Sequence, residues 1–322
     1  MLRVLSVRSL LLCLALLLNT QLVSAMSSSA DSSGYTQTRH PIMLVQGILA
    51  FDNIAGIDYW YKIGTKLQEG GAKVYVAHIN AFNNSIDRGE QLIHEMETLQ
   101  VLHPGIEKFN LIAHSQGGLT ARYVMSVRPD LVASVTTVGS PHQGAPIADL
   151  LNGVFADDTL LGNLFEVVGN AAGSLIDLLS GDDVPAGDVR SLTTEFTSAG
   201  AAAFNQNFPA GLPQTTCGEG PQQVNIDGNN IRLYSWGGDA NLTNILDPLD
   251  YLFATTGLLF GSAGNDGITG RCSNHFGKVL RDNYPLNHAD LINQVLGLRG
   301  FTATDPLSIY RSHANRLKNA GL

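Results

Sequence analysis

The chain has 322 residues with 28 Asp and Glu against 19 Lys and Arg, a formal net charge of −9, and 44% hydrophobic residues. That acidity, with no basic run to contradict it, argues against a nucleic-acid partner. The length, free of linkers and repeats, fits one domain with insertions.

The chain opens with Arg3 and Arg8, then an apolar run over 10–18, then Val23-Ser24-Ala25. Basic start, short apolar centre and small residues at the cleavage positions read as a secretory signal peptide over 1–25, too short to span a membrane. Residues 26–39 are Ser-rich and unpatterned, which predicts a flexible mature N-terminus. From Pro41 the pattern predicts strand 42–45, helix 60–69, strand 73–79, helix 86–102, strand 109–113, helix 118–127 and strand 132–138. Fully apolar strands alternating with helices predict a mostly parallel central sheet with helices on both faces, in one domain over 40–322. The apolar, Gly-rich stretch over about 145–180 adds no strand and reads as an inserted helical cap or lid, with ordinary core helix as the other possibility. Later strands are expected at 230–236 and 267–269. Cys13 leaves with the leader, so Cys217 and Cys272 form one disulfide in an oxidising compartment. Closing that loop is worth about 3–4 kcal/mol in the chain-entropy account.

The most informative motif lies between the fifth and sixth of these elements, at Ala113-His114-Ser115-Gln116-Gly117. A serine at a sharp strand-to-helix turn, with small residues two before and two after, is the nucleophile elbow of an α/β-hydrolase fold. A serine hydroxyl needs a histidine base held in one tautomer by a carboxylate, and in this fold the order is serine, acid, histidine. His142 follows the elbow too closely and reads as part of a loop bordering the site, and His313 reads as part of a solvated helix face over 310–317. His288 sits in a proline-broken loop leading into a helix expected at 291–296 and is the favoured base, with His275 as its rival. Asp239, Asp247, Asp250, Asp266 and Asp282 are the acid candidates. Asp266 fits best, before a probable strand edge, although spacing does not separate it from Asp247. The oxyanion donors are expected to be the backbone N–H of Gln116, at the positive end of the following helix, and that of Ile48, after Gly47 in the loop following the first strand.

The chain resembles the secreted bacterial triacylglycerol lipases of the Pseudomonas and Burkholderia type. The resemblance runs from about Tyr35 to the C-terminus. It is carried by Phe51-Asp52-Asn53-Ile54 through Asp58-Tyr59-Trp60, Arg88-Gly89-Glu90-Gln91-Leu92, 110–123, Val127-Arg128-Pro129-Asp130-Leu131, Cys217-Gly218-Glu219-Gly220, Asn265-Asp266-Gly267, Arg281-Asp282-Asn283-Tyr284 and 313–319. It implies Ser115 as nucleophile, Asp266 as acid, His288 as base, and Ile48 and Gln116 as oxyanion donors. It also implies one structural Ca²⁺ held by the carboxylates of Asp247 and Asp290 and the carbonyls of Gln294 and Leu298, an oxygen-only set suited to a hard cation. From the residues alone, Asp290 would read as a helix cap. The resemblance further implies hydrolysis of acylglycerol esters at a lipid–water interface, a membrane-anchored lipase-specific foldase as partner, and export from the periplasm by the type II route. The sequence departs from the family at Gln46, where the family carries histidine.

Overall fold

The structure is a computed structural model that describes residues 34–48, 58–80, 83–153 and 193–322. The expected signal peptide and most of the expected lid lie outside these residues. The strands are β1 (Ile42–Val45), β2 (Val74–Val76), β3 (Phe109–His114), β4 (Val132–Val138), β5 (Gln223–Ile226), β6 (Asn229–Gly238) and β7 (Lys278–Tyr284). They form one sheet in the order β2-β1-β3-β4-β6-β5, with β7 also paired to β6. All pairs are parallel except β5 with β6. β6 serves both outer partners along its length: β5 pairs its first half and β7 its second.

The helices are α1 (Ile63–Glu69), α2 (Ser85–Leu102), α3 (Gln116–Val127), α4 (Pro146–Leu151), α5 (Ser198–Asn207), α6 (Pro248–Gly257) and α7 (Pro306–Asn319). The continuous apolar run of β1 follows from burial on both faces, since successive side chains point to opposite sides. Met43 and Val45 join Leu111, Ala113 and Val135 against Leu92 and Met96 of α2 and Val124 of α3. Ile42 and Leu44 join Ile112, Val138 and Trp236 against Ile63 and Leu67 of α1 and Ile309 and Ala314 of α7. The sheet is therefore the shared wall of two apolar cores, which is the expected helix–sheet–helix layering.

Several expectations change. The described part of the N-terminal tract is tied down: Thr36 is buried, its N–H donates to the Gly70 carbonyl and its hydroxyl to that of Leu67. The segment 267–269 is a loop closed by a bridge between Asn265 and Gly270, and the last strand is β7 instead. Residues 291–296 do not continue as a helix. A 3-10 turn over Asp290–Ile292 ends at Asn293, whose φ of 64° is left-handed. Of the cap region, 146–151 is helical as α4, and 154–180 lies outside the described residues. Cys217 and Cys272 are disulfide-bonded with their Cα atoms 4.7 Å apart, as expected.

Candidate active site

Ser115 stands between β3 and α3 with φ 55° and ψ −127°, a conformation that a non-glycine residue adopts only under constraint from its surroundings. The neighbours supply that constraint. A Cβ on Gly117 would lie 2.4 Å from the Val45 carbonyl oxygen, so only glycine lets α3 start this close to β1. Ala113, the small residue two before the serine, is fully buried and pairs with Val45 on one side and Thr137 on the other.

The loop after β1 passes directly against the serine. A Cβ on Gly47 would sit 2.7 Å from the Ser115 Cβ. Ile48, the next residue, packs its side chain among Leu119, Phe196 and Phe204. Gln46 is buried and donates through Nε2 to the Ala77 carbonyl at the end of β2, so the substituted position still braces the loop. Arg88, fully buried, donates to the carbonyls of Gln46 and Asn80, and burial pushes its guanidinium down to about 10. Gln116 is fully buried, and its side chain donates to Glu195 at 2.7 Å and to the Asn83 carbonyl at 2.9 Å. Burial pushes the Glu195 carboxyl up, although it also accepts from the backbone and hydroxyl of Ser85.

Sequence reasoning missed Arg88 and Glu195. For Arg88 a signal existed, since it shares the helical spacing of Leu92 and Met96 on the buried face of α2. Glu195 lies beyond the expected lid and carries no local signature.

Asp266 and His288 are brought together twice. The His288 Nδ1 lies 2.9 Å from Asp266 Oδ2, and the His288 N–H donates to the Asp266 carbonyl at 2.9 Å. The other carboxylate oxygen of Asp266 accepts from the backbone N–H groups of Ile268 and Thr269. Gly139, at φ 54°, leaves room for this pair: a Cβ there would lie 3.1 Å from Asp266 Oδ2 and 3.4 Å from His288 Nδ1. The His288 ring packs 4.5 Å from that of His114, the residue before the serine.

The rival residues are engaged elsewhere. His275 contacts the Gly218 carbonyl and Asp282, and Asp282 also binds Arg271. Asp239 pairs with Arg271. The loop of His142 does border the site through Gly139, but His142 itself is buried between Arg122 and Thr137. His313 is buried, not solvated: it faces Thr136 of β4 at 2.8 Å and packs on Trp236, and burial lowers it to about 3. It lies on the same face of its helix as Ile309, Tyr310, Ala314 and Leu317, which turn that side into the core, where Thr136 gives the ring a polar partner.

Asp247, Asp250 and Asp290 are all buried in one region behind the His288 loop. Asp247 caps α6, accepting from Leu249 N–H at 2.8 Å, and its other oxygen faces the Val295 N–H at 3.3 Å. Asp250 accepts from the backbones of Thr243 and Asn244 and from the side chain of Asn287. Asp290 Oδ2 accepts from the Thr243 hydroxyl and the Asn287 N–H, while its Oδ1 is buried with no hydrogen-bond partner. Burial, with Asp250 and Asp247 close by, pushes the Asp290 carboxyl up to about 7. Gln294 is buried and Leu298 half-buried on the segment that meets Asp247. Among the described residues, no group of three or more His, Cys, Asp or Glu side chains is arranged to hold a metal. The expected set asks for only two carboxylates.

A family model described as the α/β hydrolase fold matches residues 40–290. A triacylglycerol lipase of Vibrio cholerae is 46% identical over 97% of this chain and 98% of its own length. Those of Burkholderia plantarii and Pseudomonas fragi are 40% and 38% identical, covering 94% and 88% of this chain and 92% and 98% of their own. The solved structure of lipase 1 from Pelosinus fermentans superposes with a TM-score of 0.58 at 19% identity, covering 88% of this chain and 99% of that one. At that identity the superposition speaks for the fold alone.

Proposed function

The chain belongs to the α/β-hydrolase fold family and, within it, to the triacylglycerol lipases, and from that premise we propose that it hydrolyses long-chain acylglycerol esters through Ser115, His288 and Asp266. The observation that carries the assignment of roles is the doubled Asp266–His288 contact beside a strained serine at the start of α3. In the first step the Ser115 Oγ attacks the ester carbonyl carbon while its proton passes to His288 Nε2. Asp266 holds the Nδ1–H and stabilises the imidazolium that forms. The negative charge on the carbonyl oxygen is met by the N–H groups of Gln116 and Ile48, whose loop lies against the serine. Collapse expels the alcohol, which takes the proton from His288, and leaves an acyl-serine. Water, losing a proton to the same nitrogen, then releases the fatty acid and restores the serine.

Asp247 and Asp290, with the carbonyls of Gln294 and Leu298, would hold one Ca²⁺ that pins the His288 loop and takes no part in bond making. The buried, unpaired Asp290 Oδ1 supports that fit, because a carboxylate oxygen without a donor is costly in a protein interior and a divalent cation removes the cost. Export through the periplasm is part of the proposal, supported by the leader over 1–25 and by the Cys217–Cys272 disulfide. A foldase partner and the type II route rest on the sequence resemblance. No helix among the described residues is long and apolar enough to cross a membrane.

The test compares turnover of emulsified long-chain triglyceride with that of a soluble short-chain p-nitrophenyl ester. Turnover of the emulsion is expected, and activity confined to the soluble ester would replace the lipase reading with an esterase. Absence of fluorophosphonate labelling at Ser115 would leave a lipid-binding protein without catalysis. Co-expression with a candidate foldase is expected to raise the active yield, and full yield without it would remove the partner.

A further inference from the structure

Three hydrogen bonds join the oxyanion loop, the elbow and the base, and none belongs to the triad. The Gly47 N–H donates to Tyr59 Oη at 2.9 Å. Tyr59 Oη stands 2.7 Å from His114 Nδ1, and His114 Nε2 stands 3.0 Å from the carbonyl oxygen of His288. Donor accounting gives each of these a direction. A carbonyl only accepts, so His114 Nε2 carries a hydrogen. In a neutral imidazole Nδ1 is then the acceptor, and Tyr59 Oη, already accepting from Gly47, donates to it. His114 is neutral because it is buried, with the His288 ring adding to the effect, so its pKa lies well below the usual histidine value.

We propose that Tyr59 and His114 are positioning residues for the hydrolysis, forming a one-way hydrogen-bond chain that holds the oxyanion loop and the base loop in register around Ser115. The peptide between Gln46 and Gly47 is gripped on both edges, its carbonyl by Arg88 and its N–H by Tyr59. The next N–H, that of Ile48, can then turn only through the two dihedrals of Gly47. At the far end the His288 backbone is gripped in the same manner, its N–H by the Asp266 carbonyl and its carbonyl by His114. The chain runs through the residue that immediately precedes the nucleophile, so all three reacting parts share one reference point. Small misplacements at such a site are expensive, on the order of 100-fold for about 1 Å.

This inference rests on the hydrolase reading and on the roles given to Ile48 and His288. The experiment replaces Tyr59 by Phe in the full, disulfide-bonded protein and measures kcat and KM on a soluble p-nitrophenyl ester, with active sites counted by fluorophosphonate. The expected result is a fall in kcat per titrated site of about 10- to 100-fold with KM within about twofold, short of the roughly 100- to 1,000-fold cost of deleting an oxyanion donor. A loss wholly in KM, or wholly in the fraction of titratable sites, would overturn the proposal, as would an unchanged kcat. Should Tyr59→Phe not fold, ¹⁵N spectra of the histidine rings in the unaltered protein decide the matter. His114 is expected as the Nε2–H tautomer with Nδ1 accepting, and the Nδ1–H tautomer would refute the chain. An unaltered protein that neither turns over the ester nor takes the label would instead bring down the hydrolase reading itself.

Discussion

The two halves of the molecule deliver their parts of the site in different ways. In the first half, β1, β3 and β4 form the middle of the sheet, and Ser115 is set by backbone contact, Gly117 against Val45 and Gly47 against Ser115, with hydrogen bonds from Arg88 and Tyr59 bracing the loop after β1. In the second half, Asp266 and His288 both lie on loops, fixed by polar bonds to each other and, for His288, by buried carboxylates behind it. Ser115 is thus placed by close packing, which is stiff and needs no ion. Asp266 and His288 are placed by electrostatics, which an ion, a proton or a single amide can alter.

The largest effects test the chemistry common to both halves. Ser115→Ala and His288→Ala should each lower kcat about a million-fold. The serine variant should keep its melting temperature, because β3, α3 and their contacts remain. Asp266→Asn should cost about 10,000-fold, since an amide holds the wrong tautomer while preserving shape. A loss below about tenfold for this variant would return Asp247 to candidacy as the acid.

The next effect should divide the halves. A strong chelator is expected to remove about 2.7 kcal/mol of stability from protein held at calcium a hundredfold above its Kd. Asp290→Asn should lower the melting point in calcium and abolish the chelator effect. Without a bound cation the same change relieves a crowded, unpaired carboxylate, so a raised melting point in calcium would refute the metal. Gly117→Ala tests the stiff half. The added methyl meets the Val45 carbonyl and should cost about 1–3 kcal/mol with or without calcium. Dependence of that cost on calcium, read from urea midpoints, would show that the halves are not separate.

The remaining effect concerns protons and opens only below neutral pH. His313 has its pKa depressed by burial from 6.5 to about 3, so the unfolded chain binds a proton that the folded protein refuses between those values. The stabilisation is therefore present above pH 6.5 and is lost as pH falls toward 3, by up to about 1.4 kcal/mol per pH unit. Urea midpoints at pH 7, 5.5 and 4 should fall less steeply in His313→Gln, and an unchanged slope would mean that the ring is not held neutral inside.

Legibility in the sequence followed the same division. The strands at 42–45 and 132–138 were read to the residue and that at 109–113 to within one, because strands buried on both faces are rich in apolar and β-branched residues and bounded by turns. β7 was missed because Lys278, Arg281 and Asp282 break its pattern at the sheet edge, where one face meets water. The sequence left Asp247 open beside Asp266 as the acid because both follow irregular segments, and only the contact with His288 separates them. His313 was misread because charged neighbours along its helix suggest a wet face, whereas its partner Thr136 comes from a strand 177 positions away.

What the sequence determined by itself is whatever depends on neighbours along the chain: the alternation of strands and helices, the elbow at Ser115 with its obligatory small residues, and the cysteine pair. What only the tertiary structure decided is whatever depends on groups distant in the chain meeting in a low-dielectric interior: which aspartate faces His288, which histidines are kept neutral, and how Tyr59 and His114 link Gly47 to His288. Hydrogen bonds and buried charges are satisfied by geometry and not by order in the chain, so their partners are set only when the fold closes.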